Sequence, residues 1–196
     1  MTGPGAATFR GRFFSWKTMR DILIRDASRA DIPAIAAIYG QAVTEGTASF
    51  ELQAPDETEM ERRFETVIRG GFPYLVAESA GRVIGYAYAG LYRTRPAYRF
   101  TVENSVYVAP AHQGRGAGRA LLERLIGRCT EMGYRQMIAV IGDEANTGSI
   151  ALHRACGFEL RGVLKDVGWK HGSWRGTVEM QRALGDGGKT PPPEGA

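Results

Sequence analysis

Residues 101–120 read TVENSVYVAPAHQGRGAGRA and hold two groups able to do chemistry close together. One is a carboxylate, Glu103, in a β-branched stretch with strand character. The other is a glycine-spaced run, Gln113-Gly114-Arg115-Gly116-Ala117-Gly118-Arg119, just ahead of a helical pattern. Bare backbone N–H groups at a helix N-terminus are a seat for a phosphate, and Arg115 and Arg119 add positive charge. A base beside a phosphate cradle predicts an enzyme with a phosphate-bearing cofactor. Read alone, the run is also compatible with a plain glycine-rich turn. It lacks the Lys-Ser/Thr of a nucleotide-binding P-loop, and Arg119 stands where a dinucleotide fingerprint has its third glycine.

Several elements must position these groups. Residues 101–108 form a strand, with Val102, Val106 and Val108 on one face and Thr101, Glu103, Ser105 and Tyr107 on the other. A polar face inside a sheet needs partners or a cleft. Before it come a short strand at 22–25, a helix begun by Ser28 with Asp31 three residues on, and a polar loop at 46–54. A second helix follows Pro55 and Asp56, and Gly70-Gly71 ends it. Strands at 73–78 and 82–91 make a hairpin, and the basic, aromatic segment 92–100 leads into the 101–108 strand. After the glycine run a helix reaches Met132 with Leu121, Leu122, Leu125, Ile126 and Cys129 as its core stripe. A buried strand at 136–141, a helix capped by Asn146, and two strands around residues 170–173 complete the chain. The order β-α-α-β-β-β-α-β-α-β-β predicts one α/β domain with a mixed sheet.

Composition sets outer bounds. The 196 residues are 43% hydrophobic, enough for one domain with a sizeable core. The formal charge of +4 is too small to argue for nucleic acid, and no apolar run approaches the roughly 20 residues of a membrane span. Two isolated cysteines suit a reducing compartment such as the cytoplasm. The three histidines lack metal-ligand spacing, so no metal is expected. Residues 1–19, basic and free of acid, are expected to be a disordered or appended extension to a domain at 20–184. The Gly/Pro-rich residues 185–196 are expected to be a disordered tail.

Two motifs carry a family resemblance. Val106-Tyr107-Val108, the turn at Pro110, and Gln113-x-x-Gly116-x-Gly118 resemble the acetyl-CoA-binding signature of the GCN5-related N-acetyltransferases (GNAT). Residues 146–158, from Asn146 through His153 to Gly157-Phe158, resemble the second signature of that family. A finer resemblance is to the phosphinothricin and methionine sulfoximine/sulfone acetyltransferases. It rests on residues 98–108 (YRFTVENSVYV), 139–142 (AVIG), His153 and 168–174 (GWKHGSW).

The resemblance implies a GNAT fold, a mostly antiparallel sheet flanked by helices with splayed central strands. It also implies acetyl transfer from acetyl-CoA to the α-amine of a small amino-acid-like acceptor, directly in a ternary complex. Glu103 is then the expected general base; otherwise it is a carboxylate paired with Arg99. Val106, Tyr107 and Val108 would hold the pantetheine arm, residues 113–119 the pyrophosphate, and Asn146 the arm or merely its own helix. His153 replaces the Tyr of many relatives, as general acid, sulfur contact or packed ring. Arg93, Arg95, Tyr98, Arg99, Lys170 and Trp174 are the expected acceptor contacts. A homodimer is usual in the subfamily. The same resemblance leaves room for a protein N-terminus or another metabolite amine as acceptor, or for an inactive acyl-CoA sensor.

Overall fold

The computed structural model describes residues 22–192. The extension expected at 1–19 lies outside them. Seven strands and four helices follow the expected order: β1 (Leu23–Asp26), α1 (Ile32–Glu45), α2 (Glu57–Arg69), β2 (Tyr74–Ser79), β3 (Arg82–Leu91), β4 (Thr101–Val108), α3 (Ala117–Glu131), β5 (Gln136–Gly142), α4 (Thr147–Ala155), β6 (Glu159–Lys170) and β7 (Ser173–Ala183). They form one sheet in the order β1-β2-β3-β4-β5-β7-β6, in which only β4 and β5 run parallel.

The sheet separates two cores. On one face, α3 buries Leu121, Leu122 and Leu125 completely against Ala87, Val102 and Met137. Each such leucine is worth about 1.5–3 kcal/mol relative to exposure. On the other face, α1 and α2 cover Tyr74, Val76 and Tyr86 with Ile35, Val43, Met60 and Phe64. The helix starts are chemically specified. The Ser28 N–H donates to Asp31 Oδ2 at 2.8 Å, in a 3₁₀ turn that leads into α1. Asp56 Oδ1 accepts from the Glu59 N–H at the start of α2.

One departure from regular pairing positions the site. The parallel ladder between β4 and β5 pairs Thr101 with Gln136, Val102 with Met137 and Glu103 with Ile138, and then stops. Beyond Glu103 the two strands diverge, although β4 stays paired to β3 through Val108. Alternate backbone groups of β4 beyond Glu103 therefore point into an open gap.

The segment expected to be a disordered tail is described as far as residue 192. Its first part turns back over the start of β5, where Arg135 Nη2 donates to Thr190 Oγ1 at 2.8 Å and to the Pro191 carbonyl at 3.1 Å.

Candidate active site

A cavity of about 1070 Å³ follows the gap between β4 and β5. Its lining includes Glu103, Val106, Tyr107, Val108, Gln113, Gly114, Gly116, Gly118, Arg119, Asn146 and His153. Residues from two separated motifs thus meet in one space, because the splay brings the end of β4, the start of α3 and the start of α4 around it.

The phosphate end is a bend that ordinary residues enter with difficulty. Gly114 and Gly116 adopt φ of 69° and 92°, the left-handed region where a Cβ carries strain. Gly116 caps α3. The orphan amides of the first helical turn lie next to it, with the positive end of the helix dipole behind them. Gly118 serves packing, since a Cβ there would meet Leu152 of α4 at 3.2 Å. Gln113 Nε2 donates to the Val108 carbonyl at 3.1 Å and ties the loop to the end of β4. Arg119 lines the cavity while paired with Glu123 at 2.8 Å. Arg115 is exposed and outside the lining, and the Ala117 side chain is buried in the core, leaving only its backbone available. This open, amide-rich bend fits a pyrophosphate.

Glu103 lies at the other end of the gap. No hydrogen bond or ion pair among the described residues engages its carboxylate, so the pairing with Arg99 considered above is not formed. Burial raises its pKa, and the charge of Glu179 raises it further. Arg99 instead lies over the Phe100 ring and donates to the Pro96 carbonyl.

His153 approaches from the opposite face of the sheet. Its ring is buried, with Nδ1 2.8 Å from the Ser149 carbonyl. A carbonyl only accepts, so Nδ1 carries the proton. In a neutral ring Nε2 is then an acceptor, and it lies 3.3 Å from both the amide nitrogen and the amide oxygen of Asn104. Burial lowers the His153 pKa. The lowered pKa favours the neutral ring. Asn146 does double duty: its Oδ1 accepts from the Ser149 N–H at 3.2 Å while the residue also lines the cavity.

The acceptor contacts expected from the sequence do not line this cavity. Lys170 is buried, and its ammonium donates to the Ser49 carbonyl at 2.6 Å. Trp174 is 60% exposed and meets Trp169 edge to face. Arg93 lies over the rings of Tyr92 and Tyr98. Arg93, Arg95 and Arg99 are exposed in the segment leading to β4.

Sequence reasoning also missed a wall. The loop at 46–54 contributes Thr47, Ala48 and Phe50 to the cavity. It is held by Lys170, by His171 Nε2 on the Gly46 carbonyl at 3.1 Å, and by Tyr39, whose hydroxyl lies 2.9 Å from both Ser49 Oγ and Glu51 Oε1. Gly142 and Gly168 allow the close approach. A Cβ on either would sit 2.5 Å from the Thr47 carbonyl or the Phe50 ring, respectively. One signal was present, an aromatic residue, Phe50, inside a loop otherwise without aromatics. Asn104, the buried partner of His153, was also missed, because it is a polar residue on the strand face assigned to valines.

The acetyltransferase (GNAT) family model matches residues 38–158, and the chain belongs to that family. Among its relatives, a phosphinothricin N-acetyltransferase of Alcaligenes faecalis is 56% identical over 162 residues, covering 83% of this chain and 82% of that protein. An L-methionine sulfoximine/L-methionine sulfone acetyltransferase of Pseudomonas aeruginosa is 43% identical over 162 residues, covering 82% and 94%. The crystal structure of a phosphinothricin acetyltransferase from Sinorhizobium meliloti in complex with AcCoA superposes with a TM-score of 0.87 at 52% identity, covering 90% of this chain and 95% of that one. The expected fold is thus borne out.

Proposed function

We propose that this chain transfers an acetyl group from acetyl-CoA to the α-amine of a small amino-acid-like acceptor of the phosphinothricin, methionine sulfoximine or methionine sulfone type. One observation carries the reading: an unpaired, partly buried carboxylate, Glu103, shares a cavity with the amide-rich bend of Gly114 and Gly116. The names of the relatives, at 56% and 43% identity, support the acceptor class.

Bound acetyl-CoA supplies the thioester, an acyl group open to attack by an amine. The amides at residues 114–119 and the α3 dipole hold the pyrophosphate, and the open backbone groups at residues 106–108 hold the pantetheine arm as an added strand. Asn146 donates to that arm through its free Nδ2. Glu103 takes the ammonium proton of the acceptor, directly or through a water, so that the nitrogen lone pair can attack. His153, held neutral between Ser149 and Asn104, orients the thioester end as a contact rather than as an acid. Transfer is direct, in a ternary complex. Cys156 is buried, burial raises its pKa, and it does not line the cavity, so it is a poor acyl carrier. Arg93, Arg95, Arg99 and Tyr98 guard the approach to β4 and meet the acceptor's anionic groups there.

The working unit we propose is a cytoplasmic homodimer. β6 is an edge strand, and exposed Leu160, Leu164, Val167 and Trp169 lie along it, with Trp174 beside them on β7. An apolar edge of this kind calls for a cover. Light scattering at micromolar concentration is expected to give twice the chain mass, and a monomer would refute this part.

Free-thiol release from acetyl-CoA, measured over amino acids and their sulfone, sulfoximine and phosphinate analogues, tests the acceptor class. Release with several of these is expected. Release with peptides alone would move the acceptor to protein N-termini, and release with no amine would make the chain a sensor.

A further inference from the structure

A second carboxylate stands over the same face of the sheet as Glu103. Glu103 pairs with Ile138 on β5, and two residues further along β5 Val140 pairs with Glu179 on β7. Residues paired across a ladder, or two apart on one strand, point the same way. Glu103, Ile138, Val140 and Glu179 therefore share one face, the one covered by α1 and α2 near β4. Val140 and Thr177, the neighbours of Glu179 on that face, both line the cavity with Glu103. Neither carboxylate makes a hydrogen bond or close ion pair among the described residues.

The other charged or titratable groups facing Glu103 are few. Among the described residues, Tyr88 of β3 and Tyr107 of β4 share its face, and Glu45 of α1 lines the cavity. Arg93 feels the charge of Glu179, as Glu103 does. Nearest-neighbour strands lie about 4.8 Å apart, so a two-strand separation keeps the two carboxylates in electrostatic reach without forcing contact.

We propose that Glu179 is a positioning residue for deprotonation of the acceptor amine, a second anion that strengthens Glu103 as a base and draws the acceptor's ammonium toward it. The inference rests on the acetyl-transfer reading and on Glu103 as the base. In the step concerned, the ammonium N–H bond breaks and its proton passes to a Glu103 oxygen. The electron pair stays on nitrogen, leaving a neutral amine and a neutral carboxyl group. A neighbouring negative charge favours that outcome, because it penalises the ionised form of Glu103.

The test compares wild type with Glu179→Gln, which keeps shape and removes charge. In the enzyme without ligands, ¹³C-observed titration of Glu103 is expected to move to lower pH in the variant. The acid limb of kcat/KM should move the same way while the plateau falls several-fold, and Glu179→Asp should restore both. A loss of plateau with an unmoved Glu103 titration would leave Glu179 a merely structural residue and overturn the proposal. Should Glu179→Gln fail to fold, Glu179→Asn carries the same expectation. Glu103→Gln separates the two readings. Full activity in that variant removes Glu103 as the base, whereas an inactive Glu103→Gln beside an unmoved titration in Glu179→Gln removes only the role of Glu179.

Discussion

The two ends of the cavity are built in different ways. The phosphate end is local: residues 113–118 and the first turn of α3 form one bend, braced by Gln113 on Val108, five residues away. The wall made by the 46–54 loop is assembled from afar. Lys170 reaches Ser49 across 121 residues and His171 reaches Gly46 across 125, and both fix a loop with no regular structure of its own. A local device depends on backbone conformation, whereas an assembled one depends on packing between segments. Damage to one should leave the other's ligand largely unaffected.

The largest expected effect comes at the carboxylate facing the glycine bend across the cavity. Glu103→Gln is expected to lower kcat by about 10²- to 10⁴-fold, the usual range for a lost general base. The dissociation constant of coenzyme A should not change, as calorimetry would show. A full rate across pH would remove the base from the scheme.

Lys170→Met tests the assembled end. It removes the donor to the buried Ser49 carbonyl, a loss of about 1–3 kcal/mol. The acceptor KM should rise about tenfold as the 46–54 loop loosens, while coenzyme A binding holds. An equal loss of both affinities would show that the ends are not separable.

Asn104→Ala should cost less, since it removes one hydrogen bond of about 1 kcal/mol from a ring still held by Ser149. A fall in kcat of less than tenfold, with coenzyme A affinity unchanged, is the expected kinetic result.

The smallest effect is one of stability. His153 has its pKa lowered by burial, so the unfolded chain takes up its proton first as pH falls. Stability is therefore fully present above about pH 6.5, the ordinary histidine value, and is lost progressively below it. Thermal melting of His153→Gln between pH 5 and 8 should show a flatter acid slope than wild type.

The same contrast explains what could be read from the sequence. Element order was legible because the apolar spacing of α3 and the caps at Ser28, Asp56 and Asn146 are local signals. The glycine bend and Glu103 were legible because strand, turn and helix start are contiguous. Lys170 was assigned to the acceptor site because it stands in the 168–174 stretch that carries the subfamily resemblance. Nothing near it in sequence reveals that the 46–54 loop folds over it, or that Gly142 and Gly168 leave room for Thr47 and Phe50. Asn104 was hidden by strand alternation, which marks a face but not the helix residue that will meet it.

The seating of coenzyme A on the glycine bend can be measured directly by calorimetric titration of coenzyme A into wild type and Gly116→Val. A β-branched residue at φ 92° strains the bend that presents the α3 amides. Single-site uptake by wild type, weakened at least about tenfold in a variant with unaltered folding, is the predicted result. No uptake by wild type, or equal affinity in the two proteins, would contradict it.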